Sequence, residues 1–187
     1  MGEQVIVAGF GGQGILTAGE LLAYAGLVEG KEVSWLPAYG AEQRGGTARC
    51  TVVVSEKRVM SPVVPNPSGL VVMNRPSLEA FEKIVKPGGV LVMNSSIIDI
   101  KPTRTDIRII EIPANHMAES LGSARMANLV ALGAFVAATK CVKEESVVAA
   151  LKKVFPKASD GTNALNADAF RAGMEFGEKA LAGSSAP

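Results

Sequence analysis

Two segments of this 187-residue chain carry residue types at spacings that chemistry can use. The first is Gly9-Phe10-Gly11-Gly12-Gln13-Gly14, in which Gly9, Gly11 and Gly14 satisfy Gly-x-Gly-x-x-Gly between a β-branched run and a helical pattern. Glycines there let the backbone turn tightly and approach a ligand, and the helix N-terminus that follows offers free N–H groups to an anion. The pattern has three uses: dinucleotide binding, contact with a phosphate, a pyrophosphate or another subunit, and plain strand–helix packing. Dinucleotide binding expects an acidic side chain about 20 residues on, at the end of the second strand. Here that strand ends Trp35-Leu36-Pro37-Ala38, and the first carboxylate beyond it is Glu42 in a loop.

The second segment runs Ala38-Tyr39-Gly40-Ala41-Glu42-Gln43-Arg44-Gly45-Gly46-Thr47-Ala48-Arg49-Cys50. Arg44 can fork onto a carboxylate or phosphate. Gly45 and Gly46 let a backbone come close, Tyr39 can stack or donate, and Glu42, Gln43 and Thr47 add polar groups. An ordinary surface loop holding an Arg44–Glu42 pair would share this composition.

Little other chemistry is available. His116 is the single histidine, which removes most metal sites and most Ser-His or Cys-His nucleophiles, and it reads as a loop or first-turn residue. Two cysteines, Cys50 and Cys141, read as small buried hydrophobes; an iron–sulfur cluster takes about four thiolates. No catalytic residue and no metal ligand is assigned. Lys plus Arg is 19 and Asp plus Glu is 18, so no strong field favours nucleic acid or an anionic membrane as partner. The uncharged stretches Gln4–Gly19 and Val59–Asn74 fall short of a membrane span and are broken by Gly or Pro. Two cysteines far apart with no CxxC suit a reducing compartment, most simply the cytoplasm, and with no basic region before the first strand no signal peptide is expected.

The elements that must position these segments follow from the pattern. Hydrophobic residues make up 48% and charged residues 20%, enough for a substantial core. Gln4–Ala8 reads as a buried strand, Ile15–Val28 as a helix and Val33–Leu36 as the second strand, with Pro37–Gly46 a loop. Thr47–Ser55 is a strand that Ser55-Glu56-Lys57 turns into a short return strand, Arg58–Met60. Leu70–Met73, Val90–Met93 and Ile107–Ile112 are further strands. Pro76–Lys86 is an amphipathic helix. Arg125–Thr139, Glu144–Phe155 and Ala164–Leu181 are helices. The first of these is uncharged between Arg125 and Lys140, and is either a core helix or one side of a subunit interface. The expectation is one α/β domain over 1–182, three-layer α/β/α with a largely parallel or mixed sheet and a helical C-terminal part, and a disordered tail at 183–187.

Gly9–Gly14 together with Ala38–Cys50 resembles the gamma subunit of the 2-oxoacid:ferredoxin oxidoreductases, and Met126–Phe135 resembles a third block of that family. The likeness runs nearly the whole length. Glu42-Gln43-Arg44-Gly45-Gly46 is closer to the 2-oxoglutarate and branched-chain 2-oxoacid types than to the indolepyruvate enzymes. The resemblance implies an accessory gamma subunit of an enzyme that oxidatively decarboxylates a 2-oxoacid with coenzyme A, giving acyl-CoA, CO2 and reduced ferredoxin. It implies alpha, beta and ferredoxin-like delta partner subunits, with ferredoxin as acceptor. Thiamine diphosphate, Mg2+ and iron–sulfur clusters would sit on those partners, and none would be held firmly by this chain. Gly9, Gly11, Gly12, Gln13 and Gly14 then become an anion, coenzyme A or interface loop. Tyr39, Glu42, Gln43, Arg44, Gly45, Gly46 and Thr47 become a second loop facing coenzyme A or a partner. One departure stands out: Pro67-Ser68-Gly69 lacks the acidic residue expected before the next strand. The alternative is a stand-alone protein binding phosphate, coenzyme A or a dinucleotide.

Overall fold

The computed structural model describes residues 2–39 and 46–183. Strand β1 (Glu3–Phe10) is followed by helix α1 (Ile15–Val28), then by strands β2 (Glu32–Tyr39), β3 (Thr47–Ser55) and β4 (Gly69–Val72). Helix α2 (Arg75–Phe81) runs into a 3₁₀ turn, Glu82–Ile84, and strands β5 (Val90–Asn94) and β6 (Arg108–Ile112) complete the sheet. Helix α3 (Ala114–Ser120), a 3₁₀ turn (Ala124–Met126), and helices α4 (Ala127–Thr139), α5 (Glu144–Val154) and α6 (Asp160–Gly183) form the C-terminal part.

The sheet order is β2-β3-β1-β4-β5-β6. β1, β4, β5 and β6 are parallel, while β3 runs antiparallel to both β1 and β2. The sheet is therefore mixed. β3 separates β1 from β2, so the opening strand–helix–strand unit does not pair its own two strands. The layers are unequal. On one face Val5, Val7, Val71, Val92 and Ile110 pack against α1 and α3 to α6; on the other, Ile6, Ala8, Leu70, Val72, Leu91 and Met93 pack under Leu78 of α2, Val85, Ile98 and Ile107.

Every residue of α4 from Ala127 to Ala138 is buried, so its apolar circumference makes it the central core helix. It crosses α6 with backbones nearly in contact. A Cβ on Gly173 would strike the Val130 carbonyl, one on Gly133 would strike the Phe170 carbonyl, and one on Gly177 would lie 2.9 Å from Ala134 Cα.

Four expectations are corrected. β2 does not end at Leu36 but continues through Pro37 to Tyr39; as the sheet's edge strand it can absorb the missing proline N–H. No return strand forms at Arg58–Met60, because both edges of β3 are already taken by β1 and β2. Helix α2 starts at Arg75, where the Asn74 side chain accepts from Ser77 N at 2.9 Å, and tightens to 3₁₀ before Lys86. Helix α6 begins at Asp160 and takes in Gly183, which had been assigned to the tail; residues 184–187 lie outside the described residues. Among the described residues no helix is long and apolar enough to cross a membrane.

Candidate functional site

The four parallel strands end on one side of the sheet, where open α/β proteins bind ligands. The Gly9–Gly14 turn sits there, between β1 and α1. β3 starts at the same edge because it is antiparallel, with Thr47 opposite Phe10 and Ala48 opposite Tyr39 of β2. The two candidate segments thus meet, and Gly11 N donates to the Gly46 carbonyl at 2.9 Å. Tyr39 is 74% exposed and Thr47 is also exposed, so both are open at this edge. Glu42, Gln43, Arg44 and Gly45 lie outside the described residues.

The glycines are not equivalent. Gly14 is the N-cap of α1 and has a left-handed backbone, φ 71° and ψ 25°. A Cβ there would run into the side-chain amide of Asn128. Gly9 is closed in as well: a Cβ would lie 2.6 Å from Gln13 Oε1 and 2.6 Å from Ile15 Cδ1. Gly11 does not behave as Gly14 does. Its backbone lies outside the left-handed region, and among the described residues the nearest atom to an added Cβ is Gly46 O at 3.7 Å. The contribution of Gly11 here is its N–H, which donates to Gly46.

Gln13 braces the turn. Its Oε1 accepts from Phe10 N at 2.6 Å, and its Nε2 donates to the Met73 carbonyl at 3.0 Å, tying β1 to the end of β4. From the opposite side, Asn128 Nδ2 donates to the Gly14 carbonyl at 3.0 Å. No side chain caps the N-terminus of α1, and its first turn holds no acidic residue.

Two cavities open at this edge. One, of about 200 Å³, is lined by Gly12, Gln13, Met73, Asn115 and Arg125 among others. Asn115 is oriented by the fully buried Asn94, whose Nδ2 donates to Asn115 Oδ1 at 2.7 Å. The Arg125 guanidinium has no ion pair among the described residues. The second cavity, about 340 Å³, lies between the ends of β2 and β3 and α2, with Tyr39, Thr47, Arg49, Ser77 and Phe81 in its wall. Arg49 stacks over the Phe81 ring at 5.5 Å from its centroid. Backbone N–H groups, a cation and an oriented amide suit the first cavity to an anionic group; a cation and aromatic rings suit the second to a flat or anionic one.

The remaining candidates are elsewhere. Cys50 is buried beneath α1, and burial pushes its thiol up to about 12; burial pushes Cys141 up to about 11. Neither suits a nucleophile or cluster ligand. His116 falls in the first turn of α3, and its side chain is exposed. Ser68, at the place where an acidic residue is expected, sits at the far end of the sheet. There its hydroxyl donates to Glu3 Oε1 at 2.8 Å and accepts from Gln4 N at 2.9 Å. Sequence reasoning did not single out Arg49, Asn115, Arg125 or Asn128 for the site. Asn128 carried a signal, as the lone polar side chain in Met126–Phe135.

The family described as pyruvate ferredoxin/flavodoxin oxidoreductase matches residues 4–176. A ketoisovalerate oxidoreductase subunit of Methanothermobacter marburgensis is 40% identical over 181 residues, which cover 96% of this chain and 37% of that protein. The chain spans only 37% and 32% of the two ketoisovalerate subunits it matches. A 2-oxoglutarate synthase subunit of Methanocaldococcus jannaschii is 32% identical over 182 residues, 96% of each chain. Among solved structures, the 2-oxoglutarate:ferredoxin oxidoreductase of Magnetococcus marinus, determined with 2-oxoglutarate, coenzyme A and succinyl-CoA bound, superposes with a TM-score of 0.86 at 27% identity, covering 95% of this chain and 31% of that one. The gamma subunit of a keto/oxoacid ferredoxin oxidoreductase from Geobacter sulfurreducens gives 0.79 at 28% identity, covering 94% and 98%.

Proposed function

The chain belongs to the pyruvate ferredoxin/flavodoxin oxidoreductase family, and from that premise we propose that it is the gamma-type accessory subunit of a 2-oxoacid:ferredoxin oxidoreductase. The assembly converts a 2-oxoacid and coenzyme A to acyl-CoA and CO2, passing two electrons to ferredoxin. Thiamine diphosphate with Mg2+ supplies the carbon chemistry, and iron–sulfur clusters carry the electrons. The two thiols of this chain do not fit cluster ligation: both are raised by burial, and about four thiolates are needed. Those groups accordingly belong to alpha, beta and ferredoxin-like delta partners. The substrate is a branched-chain 2-oxoacid or 2-oxoglutarate, the reading that the relatives support, and the setting is cytoplasmic.

The observation that carries the reading is the Gly11–Gly46 hydrogen bond, which makes one surface of the two segments. On that surface the turn amides, Arg125 and the Arg44 loop meet the anionic part of coenzyme A and the partner chains. A stand-alone dinucleotide-binding role is weakened by the sheet order. With β3 between β1 and β2, the end of β2 is not beside the turn, and the strand itself ends Pro37-Ala38-Tyr39 without an acidic residue.

The test is anaerobic affinity purification of the chain from its native cell. Thiamine- and cluster-bearing chains should accompany it, while the chain expressed alone should lack iron–sulfur absorption and 2-oxoacid-dependent dye reduction. Substantial turnover by the pure chain overturns the reading. Arg44→Ala separates the two contacts. It weakens co-purification if Arg44 meets a partner carboxylate and raises the KM for coenzyme A if it meets phosphate, by about 2–5 kcal/mol in affinity for a buried pair. No change in either removes Arg44 from the surface.

A further inference from the structure

Asn128 is the second residue of α4 and is 5% exposed, in a run that is otherwise apolar. A buried amide costs stability unless it is hydrogen-bonded, and a leucine would fill the same space without that cost. The amide adds direction. Its Nδ2 donates to the Gly14 carbonyl at 3.0 Å, the same oxygen that receives the first bond of α1 from Ala18 N at 3.0 Å. Gly14 has no Cβ, and one would occupy the place of this amide, so the two residues fit only as a pair.

Three residues before Asn128 stands Arg125, in the 3₁₀ turn that leads into α4. Arg125, Gly12 and Gln13 face one cavity. The helix that carries the clamp is buried along its length and locked onto α6 through Gly133 and Gly173, which makes it a rigid reference. Gln13 ties the turn to β4 from the other side.

We infer that Asn128 is a positioning residue, which holds the glycine turn at a set distance from Arg125 by fastening it to the helix that follows that cation. The inference rests on the reading that this cavity takes the anionic part of coenzyme A, and it deepens that reading. The side chain touches no ligand itself. It acts by keeping the turn and the guanidinium in place in the wall of one cavity, the kind of support a binding geometry requires.

The experiment uses Asn128→Leu, which keeps apolar volume and removes the donor, with Asn128→Ser as the second variant should the first not fold. Hydrogen–deuterium exchange is followed in the full chain. The bonded amides of the turn, Gly11 and Gln13, and that of Ala18 should exchange about 10-fold faster, the effect of losing one hydrogen bond, while amides in α4 and β5 keep their protection. In the reconstituted assembly the KM for coenzyme A should rise by a similar factor, with kcat changing less. Unchanged exchange in the turn, with the variant folded, overturns the inference. Faster exchange with an unchanged KM upholds the clamp and overturns instead the reading that the turn meets coenzyme A.

Discussion

Alanine substitution at two glycines three residues apart should give opposite results. Gly14 is left-handed at φ 71°, a region that costs a non-glycine residue about 1–2 kcal/mol. Its new methyl would lie 2.8 Å from Asn128 Cγ, an overpacking that costs about 1–3 kcal/mol where the neighbour is held. If Asn128 retreats, its bond to the Gly14 carbonyl is lost, at about 1 kcal/mol. Against this, replacing glycine stiffens the unfolded chain and returns about 0.4–1 kcal/mol. Whichever of the two responses occurs, the net for Gly14→Ala is a loss of about 2–3 kcal/mol, or a fall in Tm of roughly 4–12 °C for a chain of this size. At Gly11 the added methyl meets, among the described residues, only Gly46 O at 3.7 Å. Only the unfolded-state term remains, so Gly11→Ala should be neutral or raise Tm by a degree or two. Urea and thermal unfolding of the two purified variants beside the parent measure both numbers. The reasoning is refuted if Gly14→Ala loses less than about 1 kcal/mol, or if Gly11→Ala loses as much as Gly14→Ala.

Gly173→Ala should abolish cooperative unfolding or soluble expression, because the methyl meets the Val130 carbonyl and neither backbone can retreat; a well-folded variant seen by circular dichroism would contradict the described α4–α6 crossing. Burial pushes the Cys50 and Cys141 thiols up to about 12 and about 11, so an aromatic disulfide reagent at pH 8 should label neither within minutes until guanidinium unfolds the chain. Rapid labelling of the native protein would show that one is open. Burial also raises the Glu3 carboxyl above its ordinary 4.5, against the lowering effects of Ser68, Arg108 and Lys86. A raised acid favours the folded state when protonated and opposes it once ionised, so its unfavourable contribution grows as pH rises from 4.5 through the folded value. Glu3→Gln should therefore raise Tm more at pH 7 than at pH 4, and the reverse order would reject this account.

The strands and helices that carry strong local patterns could be read directly. Ile15–Val28 was expected and found with the same ends, since a glycine turn stands before it and Gly30, at φ 70°, follows it. β5 emerged from the apolar run Val90–Met93 and β6 from the isoleucine-rich segment Ile107–Ile112. What local pattern could not supply was pairing. Pro37 reads as a breaker, yet β2 runs through it because an edge strand has an unpaired side. Arg58–Met60 reads as a return strand, yet β3 has no edge left to offer. The site divided in the same way. Both segments were recognised as notable, but their meeting through Gly11 and Gly46 depends on β3 being antiparallel, a property of the whole sheet. Likewise the part Gln13 plays in bracing the turn depends on Met73, sixty residues away, which no local pattern connects to it. Arg125 and Asn115 gave no sign in sequence, because an isolated arginine or asparagine between helices has no spacing to recognise.

The pairing of Tyr39 with Ala48 has a consequence for how such a protein can diversify. The chain between them leaves the sheet and returns to it at neighbouring points on two bonded strands. Doubling the length of a connection whose ends are already held together costs only about 0.6 kcal/mol in closure entropy. The sequence between Tyr39 and Gly46 could thus be lengthened, shortened or rewritten in the course of evolution with the strand register and the helical layers left as they are. The glycine turn allows no such freedom, being fastened to β4 by one amide and to α4 by another. A constant half and an adjustable half would then share one rim, and descendants of a common ancestor could accept different neighbours while keeping the same folded body.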